Sequence, residues 1–460
     1  MKPYRGTILR PDSTGEYLEM IDDALVIVDD EGEIVVADSV SILCERGREL
    51  REKFGLVFDE QMELDGKPIP QTHNIIMPVT ANTHDHSFQP PGIDGPLITG
   101  TPTEGFGGWL PKTLKNGEYI AKQDVGRSRA MLAMKFEECI RHGVGATLQF
   151  TTSSYDAARA AINIGNDKGV RVVAGYVAMD QNIDSIQLGL QEESGIALRA
   201  TEALLDEFGA ACVAVIDRFP IAVSSETRRG LAELARHHGA LYETHFDEQD
   251  GVGREKDIHK SIYGTASITQ TLVDDGVFET GSRVGLAHSI HTTKKEMDLI
   301  GSKVDAGCKV FVRACPSSNA QLGSHFVEGA FVPFPLRQWE ARGVDITLGT
   351  DRGAGRTSNV FAEMQKEHGR HSIETRPSFI DVLRYGTIQG LKSLGVDIGE
   401  TRVSEGNPAE FTIVELSGAG AYWDIGDHYG NLEFTAARVI DGGQDSSGIK
   451  ALWVKGRQLK

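Results

Sequence analysis

The chain has 460 residues, 40% of them apolar, enough for one barrel-sized domain with an appendage or for roughly two or three average domains. A formal net charge of −19 disfavours nucleic acid or an anionic membrane surface as a partner and favours a small-molecule ligand. The five cysteines, Cys44, Cys139, Cys212, Cys308 and Cys315, form no C-x-x-C pair, which argues against a disulfide framework or a cysteine zinc site and fits a reducing cytoplasm.

The opening residues lack the apolar core of a secretory signal, and no apolar run is long enough to span a bilayer, so a cytoplasmic protein is expected. Residues 1–72 read as short strands. Tyr17 to Val28 and Glu33 to Ala37 flank the acidic turn Asp29-Asp30-Glu31-Gly32, and Glu49 to Phe54 suggests one helix. From 73 to 402 short apolar strands alternate with longer amphipathic stretches. The strands are expected at Ile75–Ala81, Ala146–Phe150, Arg171–Val177, Cys212–Ile216, Leu241–Thr244, Val284–Ala287, Lys309–Arg313 and Asp345–Leu348. Helices are expected at Arg127–Arg141, Asp156–Lys168, Glu226–His237 and Lys294–Gly301. Such alternation predicts an α/β chain with a (β/α)8 barrel. No G-x-G-x-x-G follows an early strand, which removes the commonest reason to prefer a doubly wound sheet. From 403 to 460 strands return at Glu410–Val414 and Ala451–Val454, so the two chain ends are expected to build one small β-sandwich domain.

In a barrel of this kind, functional side chains gather at the C-terminal strand ends. His84 and His86, in Asn82-Thr83-His84-Asp85-His86, follow the first strand at a spacing that points both the same way. His245 ends the fifth strand, His288 the sixth, and Asp351 follows the eighth. Neutral imidazoles with one carboxylate suit Zn²⁺ or another first-row divalent ion, with His84, His86 and His245 as nitrogen ligands and Asp351 free to ligate the metal, bind the attacking water, or do both. Glu248, three residues beyond His245, is placed to shuttle a proton, and His288 to hydrogen-bond the attacking water or a developing oxyanion. The fourth strand ends in Ile216-Asp217 with no lysine to bridge a second ion, so one metal is expected. His142, His237 and His238 sit where cations complement helix C-termini. His73, His259, His368, His371 and His428 read as surface residues. His325 reads as a loop residue that could line a pocket, and His291 as a possible outer partner of His288.

These motifs together resemble the metal-dependent amidohydrolase superfamily, within it the guanine deaminase and triazine hydrolase group. The matching stretches are T-H-D-H-S-F-Q, T-H-F-D-E, L-A-H-S-I-H, A-C-P-S-S-N-A-Q-L-G-S, L-G-T-D-R-G-A-G and E-G-N-P-A-E-F-T-I-V. The resemblance implies a (β/α)8 barrel with a composite β-sandwich, one metal ion held by His84, His86, His245 and Asp351, Glu248 as proton shuttle, and a homo-oligomer. Zinc is the first choice of ion, with Fe²⁺, Co²⁺ or Mn²⁺ as alternatives. Gln89 and the pair Arg218-Phe219 fall where guanine deaminases read the base. Asn82 stands where that group carries an aspartate, and the Gly/Pro-rich stretch after Gln89 departs from it. Asn-Thr-His resembles instead the phenylurea and molinate hydrolases. The expectation is therefore cleavage of a urea, amide or carbamate C–N bond in a pocket lined by Phe88, Trp109 and Phe219. The alternative is deamination of a guanine- or triazine-like ring.

Overall fold

The computed structural model describes residues 1–58, 62–89, 106–181, 189–251, 254–416 and 431–460. Eight parallel strands form the barrel. The first, Thr80–His86, pairs with the second, Val144–Phe150, which pairs with Arg171–Gly175. The third strand breaks at Tyr176. Its second piece, Val177–Ala178, pairs with the fourth strand, Ala214–Asp217, and an Ala174–Val213 bridge spans the break. Leu241–Phe246, Arg283–His288, Lys309–Ala314 and Asp345–Leu348 follow in register as strands five to eight. The circle closes between strands eight and one, where Thr83 Oγ1 donates to the Leu348 carbonyl at 2.9 Å.

The strands are buried on both faces, which is why they read as continuous apolar runs and not as alternations. Around them lie helices whose ends carry local stop signals. Ser154 caps Tyr155–Lys168 and Ser224 caps Ser225–His238, while Gly169 and Gly239 end them in the left-handed conformation. Thr293 and Glu296 form a capping box on Lys294–Asp305.

The apolar run expected as one first strand is divided. Asn74–Met77 joins a different sheet, and Thr80–His86 alone enters the barrel. Pro78, which has no N–H to give a ladder, separates the two. The histidine pair therefore lies on the first barrel strand itself and not beyond it. Asn74–Met77 sits parallel to Lys2–Pro11 and antiparallel to Phe411–Glu415, in a seven-stranded sheet that also takes in Leu18–Val28, Ile34–Ser39, Ile449–Val454 and Arg457–Gln458. Both chain ends thus build one sheet beside the barrel. One face packs around Val26, Phe411 and Trp453, the other around Leu25, Leu43 and Leu64. The C-terminal segment is not strand alone. Leu432–Gly443 is a helix capped by Asn431, buried through Ala436, Val439 and Ile440 against the barrel's outer helices. Among the described residues no helix is long and apolar enough to cross a membrane.

Candidate metal centre and cleft

His84 and His86 occupy the last turn of pleat on the first strand, so their rings enter the same end of the barrel while Asp85 points away. His245 lies one residue before the end of the fifth strand and His288 ends the sixth. Asp351 comes three residues after the eighth strand ends, at φ +45°, and its N–H reaches the His84 carbonyl at 2.9 Å. Gly349 makes that approach feasible, since a Cβ there would stand 2.5 Å from the Cβ of His84. His288 at φ +71° and Asp247 at φ +47° are also left-handed, so backbone strain gathers at this rim of the barrel.

His84, His86, His245 and Asp351 each offer one donor atom, all within 4.8 Å of one another, and all four are buried. His86 Nε2 is 3.2 Å from His245 Nε2 and 3.1 Å from Asp351 Oδ1, and His84 Nε2 is 3.6 Å from the same oxygen. Neighbours set the tautomers. His245 Nδ1 donates to the Arg218 carbonyl at 2.6 Å, which leaves Nε2 as the lone pair that faces the group. His288 Nδ1 meets Asn319 Oδ1 at 2.8 Å, and its Nε2 stands 4.0 Å from Asp351 Oδ2. Both ring nitrogens of His84 and Nε2 of His288 are buried without hydrogen-bond partners. Buried lone pairs of this kind are costly unless an electrophile meets them, and three imidazoles with a carboxylate suit a divalent cation.

Electrostatics agree with that donor set. Burial lowers His84 to about 4, pushes His245 well below its ordinary value and lowers His288. His84, His245 and His288 are then neutral at neutral pH, the form that ligates metals. Burial works to raise Asp351, but the close imidazoles of His84 and His86 outweigh burial and hold it well below the usual carboxylate range. Ser318 Oγ also donates to Asp351 Oδ2. Burial first, and the Asp351 carboxylate second, push Glu248 well above the usual range, so this carboxyl can hold a proton over the cleft. The Glu248 backbone N–H is fixed by Glu255 Oε2 at 2.8 Å.

His86, Gln89, Leu110, Arg218, Phe219, His245, Glu248, Asp351 and Ala354 line one cleft. The structure thus brings Gln89, Arg218 and Phe219 to the histidine group, the Phe219 ring standing edge-on to His245 at 6.3 Å. Phe88 is fully buried in the main hydrophobic core and, unlike Phe219 of the same core, is not among the cleft's lining residues. The Trp109 side chain and His428 lie outside the described residues.

Two of the histidines expected at the surface are buried. His259 donates from Nδ1 to the Thr265 carbonyl, and His371 Nε2 meets Glu367 at 2.8 Å. His325 is buried too, its Nδ1 on the Val332 carbonyl, and His291 Nε2 bonds the Ser324 carbonyl at 2.6 Å. Carbonyls later in the chain meet His259, His325 and His291, and the Glu367 carboxylate four residues earlier meets His371.

Sequence reasoning missed Glu118. It opens the helix Glu118–Gln123, is fully buried, and accepts from Arg218 Nη1 at 2.7 Å, Arg218 Nη2 at 3.0 Å and Gln89 Nε2 at 3.2 Å. Its only local signal is an acidic residue in a first helical turn, which is commonplace. Asn319 and Ser318 were also unassigned, although both lie in P-S-S-N, whose Pro316 starts the helix Pro316–Gln321.

Residues 75–459 match the model of the amidohydrolase family. By sequence the chain is 25% identical over 299 residues to the guanine deaminase of Escherichia coli, covering 64% of each, just short of two thirds of that enzyme's length. It is 24% identical over 363 residues to the 5-methylthioadenosine/S-adenosylhomocysteine deaminase of Pyrococcus horikoshii, covering 76% of each. The solved structure of the Escherichia coli guanine deaminase superposes with a TM-score of 0.77 at 20% identity, over 100% of this chain and 99% of that one. The atrazine chlorohydrolase of Arthrobacter aurescens TC1, complexed with zinc, superposes with a TM-score of 0.73 at 17% identity, over 100% and 95%.

Proposed function

We propose, from the premise that the chain belongs to the amidohydrolase family, that it is a metal-dependent aminohydrolase releasing the exocyclic amine of a purine- or triazine-like ring as ammonia. The observation that carries the reading is the shared cleft. Gln89 and Arg218, which can hydrogen-bond a ring edge, and Phe219, which can pack on a ring face, stand beside His86, His245, Glu248 and Asp351. The sequence relatives described above are ring deaminases, which favours this reading over urea or carbamate cleavage.

His84, His86, His245 and Asp351 would hold one divalent ion, zinc by preference, as in the zinc-complexed structural relative. Such an ion, when bound, lowers the pKa of a water to about 7 and so provides a nucleophile at neutral pH. The chain's own groups do the rest. Glu248 takes the water's proton as the new C–O bond forms at the ring carbon and then delivers it to the departing nitrogen, so that the C–N bond breaks and ammonia leaves. His288 Nε2, aimed by Asn319, is the hydrogen-bonding partner of the attacking oxygen. Arg218 and Gln89 hold the ring so that its amine-bearing carbon meets the nucleophile.

The test is a product screen by mass spectrometry. Zinc-loaded protein meets a panel of aminopurines, aminotriazines, aryl ureas, anilides and thiocarbamates. Ammonia, with an intact ring carrying oxygen in place of the amine, is the expected outcome, and Glu248→Gln should abolish it while zinc content stays at the wild-type level. A free aryl or alkyl amine with no ring product would reject deamination in favour of carbonyl C–N cleavage.

A further inference from the structure

Asp85, the middle residue of His84-Asp85-His86, faces away from the donor group, yet its carboxylate is fully buried and saturated. Oδ1 accepts from the backbone N–H of His86 at 2.9 Å and of Arg352 at 3.0 Å. Oδ2 accepts from Asn82 Nδ2 at 2.8 Å, meets Gln149 Nε2 at 3.5 Å, and stands 2.6 Å from Lys135 Nζ. Lys135 is only 1% exposed, so the pair is a buried ion pair between the first strand and the helix Val125–Arg141. Each charge is the other's compensation, and removing either strands its partner.

Asn82 makes the matching grip one residue pair away. Its Oδ1 accepts from the Thr350 N–H at 3.0 Å and its Nδ2 donates to Thr350 Oγ1 at 2.7 Å. With the Asp351 N–H on the His84 carbonyl, three successive residues, Thr350, Asp351 and Arg352, are tied to the first strand. The same helix adds a further tie, since Glu138 Oε2 holds Arg352 Nη2 at 2.7 Å. Asp351 sits in this cradle at φ +45°, a backbone that L-residues keep only when their surroundings enforce it.

We propose that Asn82, Asp85 and Lys135 form a buried clamp that locks the Asp351 loop onto the His84–His86 strand and thereby sets the geometry of the metal centre. The proposal rests on the reading that His84, His86, His245 and Asp351 hold a metal. These three are positioning residues: none of them is among the donors, Asp85 holds the backbone N–H of His86, Asn82 holds Thr350 next to Asp351, and Lys135 acts through Asp85.

The experiment measures metal affinity. Metal-free wild type, Asp85→Asn, Lys135→Met and Asn82→Ala are titrated with Zn²⁺ against a chromophoric chelator, and their Co²⁺-substituted forms are compared by visible spectroscopy. Glu410→Gln is the control. It breaks the bidentate pair with Arg171 at the opposite end of the barrel, an ion pair with no tie to the donor group. The clamp predicts a loss of about 10–100-fold in Zn²⁺ affinity and altered Co²⁺ bands in the clamp variants, with both unchanged in the control. Wild-type affinity and spectra in Asp85→Asn and Lys135→Met would overturn it, as would an equal loss in Glu410→Gln. Should Asp85→Asn fail to fold, Asn82→Ala, which removes the Thr350 grip and one bond to Asp85 but no charge, decides by the same readouts. Wild-type protein that binds neither ion would instead sink the metal reading, and the clamp with it.

Discussion

Replacing Glu118 by alanine would strand a guanidinium inside the protein. Arg218 is 1% exposed and both of its η nitrogens are spent on the Glu118 carboxylate, at 2.7 and 3.0 Å. Removing one partner of a buried pair costs about 3–5 kcal/mol, because the remaining charge keeps its desolvation penalty and loses its compensation. Gln89 also loses an acceptor, worth about 1 kcal/mol. The double variant Glu118→Ala/Arg218→Ala removes both charges together, so it should be far more stable than the sum of the two single losses. Urea midpoints of the metal-loaded wild type, the two singles and the double would complete the cycle. If the double equals the sum of the singles to within about 0.5 kcal/mol, the two groups are uncoupled and the reasoning is refuted. The same proteins test the role in substrate binding. Arg218→Ala should lower kcat/KM for a ring amine at least tenfold, a loss of about 1.4 kcal/mol in transition-state binding.

Gly353→Ala should raise KM by roughly tenfold, about 1.4 kcal/mol, with kcat little changed. Its Cβ would lie 2.4 Å from Gln89 Oε1 at a φ of +134°, so the glutamine must leave its place in the cleft, and steady-state kinetics would show this. Acid should destabilise the protein through His259, which burial lowers from 6.5 to about 4 against the opposing bond to the Thr265 carbonyl. Since the folded value is depressed, stability is full above pH 6.5 and is lost as pH falls toward 4, by roughly 3 kcal/mol from the difference between those values. In a Tm series across that window, His259→Gln should show a flatter profile than wild type. Parallel profiles would reject the assignment.

The barrel and the candidate metal donors were legible because both are written in local pattern. Val310 and Val312, Val284 and Leu286, and Ile346 and Leu348 mark strands by their apolar runs, and strand ends in a barrel share one face. The spacing of His84 and His86 states by itself that their rings point the same way. Local pattern could not place the aromatic residues: Phe88 and Phe219 both pack in the main core, yet Phe219 also lines the cleft and Phe88 does not. The same apolar run that was read as one strand serves two sheets, and only the pairing partners of Asn74–Met77 reveal it.

The order of the candidate donor residues and the common facing of His84 and His86 were therefore readable in the sequence, since they follow from the order of the strands and from a period of two residues along a strand. Tertiary structure alone decided how those donors are held. Lys135 reaches Asp85 from a helix, Glu118 takes both arms of Arg218 from another, and Asn82 grips Thr350 from the far end of the barrel sequence. Charge compensation in a buried site acts through space, between groups that no periodicity relates, and becomes visible only once the chain has closed on itself.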